Sequence, residues 1–288
     1  MSVDSGGYSP SASKPEHVVA DWLKSELPIH LKDVPPVSMV DLSAVHSRQY
    51  IDGILQGQLK NGHGNTIRRV SRSCLLTAGS FVAAAEEAAH NGKVACSPTS
   101  GFHHARYDSA RGFCTFNGLM VAAARMCLRK WTVAIIDCDA HQGDGTQSII
   151  NQKKMHNQVF HWTYGQEIKA AFQWARFERQ IRGFIDSYLS QSRENSRIVF
   201  YQAGADAHID DPLGPGELGM YDHEMRKRDR LIFELCRNHN LPVVWNLAGG
   251  YQRDQFGDIH KVLMLHRATM EECVRCFIQP DTTLVRTP

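Results

Sequence analysis

Asp137, Asp139 and His141 alternate along the chain where the apolar run Thr132–Ile136 ends. Alternation in an extended segment puts all three side chains on one side of the backbone. Charged groups there are costly unless paired or bound to metal, so a salt-bridged strand end and a metal site are the two readings of the triplet alone. Carboxylate with imidazole suits a borderline divalent ion, zinc above all. Asp206, at the corresponding end of another apolar run, offers a third ligand beside Asp139 and His141 and favours the metal. Three protein ligands leave positions open for water and substrate, which is the plan of a catalytic site. Proton transfer is the natural work of His103 and His104, adjacent in a glycine-flanked loop, and it requires imidazoles held by carboxylates. Asp137 and Asp144 remain after the metal ligands are assigned and can be those holders. Tyr251 follows Gly249-Gly250 and would present a phenol to a developing oxyanion.

The elements that must carry these residues are legible in outline. A Ser/Gly-rich lead over residues 1–12 reads as poorly ordered, and Ser13, Pro15 and Glu16 as a helix start. Helical periodicity follows from Met39 to Leu59 and from Thr66 to His90, with Asn91-Gly92 as the stop. Short apolar strands are expected at Lys93–Cys96, Thr132–Asp137, Gln158–Trp162, Arg197–Gln202 and Pro242–Leu247. Helices alternate with them at Asn117–Arg129, Glu167–Leu189, Asp222–Asn238 and Asp258–Phe277. The strands are apolar without strict alternation, as strands covered on both faces are. The pattern predicts one α/β domain over residues 1–288, a central parallel sheet with helices on both faces. In such sheets the chemistry lies in loops at the carboxyl ends of the strands, where His103, His104, Asp139, His141, Asp206 and Tyr251 fall.

Four segments in this order, GFHHARYDSARGFCTFNG, IIDCDAHQGDGT, YQAGADAHIDDPLG and NLAGGYQRD, resemble the zinc-dependent histone deacetylase family, of arginase/deacetylase fold. Gln142 and the wording GFHH and GGYQ are most similar to its class IV branch and bacterial relatives. The segment PPVSMVDLSAVHSRQYIDGIL is similar to the family's N-terminal helical part. The resemblance implies zinc held by Asp139, His141 and Asp206. It implies His104 as general base and then general acid, His103 as its tuning neighbour, Asp137 paired with His103 and Asp144 with His104. Tyr251 would polarise the acyl carbonyl, and Phe102, Phe113 and Leu213 would wall an apolar tunnel. A structural potassium ion near the strand containing Asp137 is a secondary implication. The implied substrates are acylated lysine peptides or acylated small amines. The region after Gln158 lacks the long acidic and glycine-rich loop of the family, which touches both the tunnel wall and the potassium site.

Two rivals belong to other classes. A two-manganese, arginase-like ureohydrolase would use D-A-H-x-D, which Asp206-Ala-His208-Ile-Asp210 fits and the stretch from Asp139 does not. An inactive acyl-binding relative is disfavoured because every expected catalytic position is filled. Composition narrows the partners: 32 Lys+Arg against 30 Asp+Glu argue against bulk attraction to nucleic acid or an acidic membrane. No apolar run approaches a membrane span. Eight cysteines scattered through apolar segments, Cys273-x-x-Cys276 among them, read as reduced core residues, so a cytoplasmic setting is expected. The basic run Arg226, Lys227, Arg228 and Arg230 reads as a solvated helix face.

Overall fold

The computed structural model describes residues 3–192 and 196–278. Helices α1 (Lys14–Lys24), α2 (Met39–Val45), α3 (Arg48–Leu55) and α4 (Arg68–Asn91) precede strand β1 (Val94–Ser97). Then follow α5 (Gly118–Leu128), β2 (Trp131–Asp137), α6 (Asp144–Lys153), β3 (Val159–Thr163), α7 (Tyr164–Glu167) and α8 (Trp174–Gln191). The chain closes with β4 (Ser196–Gln202), α9 (Asp222–Asn238), β5 (Val243–Asn246) and α10 (His260–Phe277). All pairings are parallel and the strand order is β1-β5-β4-β2-β3.

Successive residues of each strand face opposite layers. Ala134, Ile136, Val199, Tyr201, Val243 and Trp245 pack against α1, α8, α9 and α10. Val133, Ile135, Ile198, Phe200 and Val244 pack against α2 to α6. Burial on both faces is why these strands read as continuous apolar runs rather than alternating ones.

Several boundaries moved for local reasons. The periodic run from Met39 to Leu59 is two helices, because His46 is extended and the Ser47 hydroxyl accepts from Tyr50 N to start α3. The long helix expected from Glu167 begins at Trp174, residues 168–173 being non-helical. Gly92 takes the left-handed conformation that ends α4, at φ 67°. The lead is more ordered than its composition predicts. Its residues 1 and 2 lie outside the described residues, but Ser5, Ser9 and Pro10 are buried, and Ser9 accepts from Ser11 N at the start of a 3-10 turn. Backbone oxygens of Ser5 and Tyr8 accept from Asn65 and Arg253, which tie the lead down on both sides.

The strand order places the site. From β2 the chain moves outward to β3, then returns to β4 on the other side of β2 and continues to β5. The direction of winding therefore reverses between β2 and β4. The crevice beyond the carboxyl ends of two such strands is where open α/β sheets bind ligands. Asp137 and Gln202 are register partners at that edge.

Candidate metal centre and active site

Asp139 and His141 leave the end of β2, and Asp206 leaves the end of β4, so they converge in the crevice. Each offers one ligand atom, and these atoms lie within 4.8 Å of one another. His141 Nδ1 sits 3.0 Å from Asp139 Oδ1 and 3.1 Å from Asp206 Oδ2. Backbone amides aim the carboxylates: Gly249 N donates to Asp139 Oδ2 at 2.8 Å, and Ala140 N to Asp206 Oδ1 at 3.1 Å. Gly249 must be glycine here, since a Cβ would come 2.0 Å from Asp206 Oδ2. The two buried carboxylates demand positive charge. Their hydrogen bonds push the His141 imidazole up to about 11, and burial with the charge of Asp139 raises the Asp206 carboxyl. Two carboxylates and one imidazole nitrogen focused on one point are a donor set that fits a divalent ion such as zinc.

The histidine pair stands beside this centre. His103 Nδ1 bonds Asp137 Oδ2 at 2.8 Å, and its Nε2 is 3.7 Å from Asp139 Oδ1. Asp137 is fully buried and held by Gln202 Nε2 at 2.8 Å and by Asp139 N. Burial disfavours the His103 imidazolium, but the charges of Asp137, Asp139 and Asp206 outweigh it and bring the ring to about 9. His104 goes the other way: burial and the charge of His103 lower it. Its Nδ1 bonds Asp144 Oδ1 at 2.7 Å, and Asp144 is gripped in turn by Arg106 at 2.6 Å and Arg111 at 3.3 Å. One histidine is thus kept charged and its neighbour, with ring centroids 4.1 Å apart, neutral.

Tyr251 is fixed by its backbone, whose N–H donates to Asp211 Oδ2 at 2.7 Å. Burial and the nearby Asp139 and Asp206 raise its phenol well above the usual range, so it stays a proton donor. Phe113, in the left-handed region at φ 61°, packs on Tyr251 with centroids 5.7 Å apart. Both line a small cavity with His103, Asp139, Gln202 and Ser11 of the lead.

Of the other tunnel residues, Phe102 is a core residue and not a wall. It is fully buried, 5.5 Å from Phe81, and lies against Gly118. Leu213 is half-exposed and outside that cavity lining. The second manganese site is not assembled: His208 Nε2 bonds Asp222 at 2.7 Å, and Asp210 has a side chain 75% exposed. A second, exposed trio of Asp254, Asp258 and His260 also converges, but Asp254 Oδ1 already closes its own turn on Phe256 N and Asp258 N. Two residues at the site went unforeseen. Lys14 is buried, its ammonium bonded to the Ala248 carbonyl and lowered to about 8 by burial. Arg228 is buried as well, contrary to the solvated face expected for its run. All eight cysteines are free, and burial raises their thiols.

The profile of the histone deacetylase domain matches residues 10–170, more than half of the 288. The chain belongs to the histone deacetylase family. An uncharacterised protein of Picosynechococcus sp. is 28% identical over 252 residues, 80% of this chain and 81% of that protein. The chloroplastic histone deacetylase 10 of Oryza sativa subsp. japonica is 31% identical over 268 residues, 77% of this chain but 59% of the rice protein. This deacetylase-family chain thus spans about three fifths of the rice relative. The crystal structure of an acetylpolyamine aminohydrolase from Burkholderia pseudomallei superposes with a TM-score of 0.63 at 18% identity, over 91% of this chain and 90% of that one, a likeness of fold. Among the described residues no helix is long and apolar enough to cross a membrane.

Proposed function

We propose that the chain is a zinc-dependent amidohydrolase that removes acetyl or other acyl groups from lysine side chains or related amines. The observation that carries this reading is the convergence of Asp139, His141 and Asp206 beside two histidines of opposite protonation preference and a buried, protonated tyrosine. When bound, zinc would supply Lewis acidity, polarising the acyl carbonyl and making water acidic enough to attack near neutral pH.

The chain's own groups divide the remaining work. Asp144 accepts the Nδ1 proton of His104, which leaves Nε2 with a lone pair to take a proton from the attacking water. The same nitrogen then delivers that proton to the departing amine, which cannot leave as an anion. His103, kept cationic by Asp137, disfavours a lasting second charge on His104 and so speeds its release of the proton. The Tyr251 phenol donates to the oxygen that becomes negative as the carbonyl carbon turns tetrahedral. The side-chain oxygens of Asp137 and Thr163, at the paired ends of β2 and β3, are already engaged by His103, Gln202, Asp139 N and Gly143 N. A structural potassium ion there would rest on backbone carbonyls, and no step above depends on one.

The test joins metal content to turnover. Purified protein should carry one zinc per chain and hydrolyse a panel of acyl-lysine peptides and acetylated polyamines, the latter included because the fold is also that of the Burkholderia acetylpolyamine aminohydrolase. Asp206→Ala should lose the metal and turnover together. Two manganese ions per chain, or bound zinc with no turnover on any acyl amide, overturns the reading.

A further inference from the structure

Among the basic residues at the start of α9, Arg228 alone is fully buried, and its bonds run to the two loops that bear the carboxylate ligands. Its Nη1 donates to Gly204 O at 2.8 Å and reaches Cys138 O at 3.5 Å. Cys138 immediately precedes Asp139, and Gly204 stands two residues before Asp206. The loops touch at that point: a Cβ on Gly204 would lie 2.5 Å from Asp139 Cα, 2.8 Å from Asp206 Oδ1 and 2.9 Å from Cys138 O. The guanidinium is itself oriented. Its Nε and Nη2 both bond Asp229 Oδ1 at 2.8 Å. Asp229 accepts further bonds from the Tyr201 hydroxyl of β4 and from Thr269 of α10 at 2.6 Å.

We propose that Arg228 is a positioning residue for the metal centre: its guanidinium ties the Asp139 loop to the Asp206 loop and so sets the separation of their carboxylates. The proposal rests on the zinc reading above. A buried ion pair is weak as a source of stability, because an apolar pair of like volume is often as stable or more so. The bonds of this one go to the seam between two ligand-bearing loops. A guanidinium is a planar fork that grips Asp229 with two donors and keeps a third for the carbonyls. A lysine ammonium is a point charge on a flexible stem and cannot hold that geometry. Groups behind the ligands typically govern metal affinity by about 10–100-fold.

Arg228→Met with Asp229→Asn removes both charges together, so no buried ion is left alone, and the asparagine oxygen still accepts from Tyr201 or Thr269. Zinc affinity is read by chelator competition, fold by thermal melting of the metal-free protein, and ligand geometry by the visible absorption of bound Co2+. The expected result is a metal-free melt within a few degrees of the parent, zinc bound about 10–100-fold more weakly, and an altered Co2+ band. A folded double variant with parental zinc affinity and an unchanged Co2+ band overturns the proposal. Should the double variant fail to fold, Arg228→Lys, which keeps the charge, is read in the same way: weaker zinc with a shifted band supports positioning, and parental values refute it. Failure of the parent protein to bind zinc is a different result, and it brings down the zinc reading on which the proposal stands.

Discussion

At the residue scale, Tyr251 has an isolable job. Its backbone is set by Asp211 and its ring by Phe113, neither of which needs the phenolic oxygen. Tyr251→Phe should therefore leave metal content and KM near the parental values while kcat falls about 10²–10³-fold, the usual cost of one lost oxyanion donor. A kcat within a factor of three would remove the phenol from the mechanism. The residues brought together here could be picked out of the sequence because they are anomalies: carboxylates and imidazoles at the ends of apolar strands have no cheap alternative to pairing or metal. Lys14 and Arg228 carried no such signal, since basic residues on an amphipathic helix default to solvent and only the tertiary packing shows otherwise. Phe102 misled by adjacency. It neighbours His103, but the chain turns there, with Ala105 N donating to Phe102 O, and its ring enters the layer of Phe81 instead.

At the element scale, α9 and α10 are joined by a charge cluster that their separate patterns could not reveal. Arg226, Arg230 and Arg275 all donate to the carboxylate of Glu272, whose side chain is fully buried between the helices. Burial pushes that carboxyl up, but the three arginines outweigh it and hold the group at about 2, below its ordinary 4.5. A carboxylate lowered on folding contributes stability above its unfolded value and loses it as pH falls through its folded one. This contribution should therefore fade between about 4.5 and 2. Glu272→Gln should cost about 1–3 kcal/mol at neutral pH, as the loss of bonds to a charged group does. Urea melts of parent and variant from pH 7 downward check this: the gap between them should narrow only below about 4.5, and a constant gap would mean that packing, not charge, joins the helices. The helices themselves were easier to read than their limits. Asp222–Asn238 stands where periodicity put it, whereas the Met39–Leu59 run breaks at His46 because the Ser47 cap competes with helix continuation.

At the scale of the whole molecule, the parallel sheet was readable because strands buried on both faces are continuously apolar, but its order was not. The run lengths do not say that the chain returns from β3 across β2 to β4, and that return creates the crevice. The consequence is that the three residues that could hold a metal come from loops after β2 and β4, with 64 residues (142–205) between His141 and Asp206. An ion there would link two crossover connections of the sheet, and without it the buried carboxylates of Asp139 and Asp206 are offset by the imidazoles of His141 and His103 and by the buried Lys14 ammonium. Binding restricted to the folded state adds RT ln(1 + [L]/Kd), about 2.7 kcal/mol when free zinc is a hundredfold above Kd. For a chain of this size each kcal/mol is about 2–4 °C in Tm. Chelation should thus lower the calorimetric Tm by about 5–10 °C, and zinc should restore it in a concentration-dependent way. Magnesium should not, because it demands an octahedral oxygen shell that one imidazole and two carboxylates do not provide. A Tm indifferent to chelator would mean that the crevice holds its three ligands in place with no ion between them.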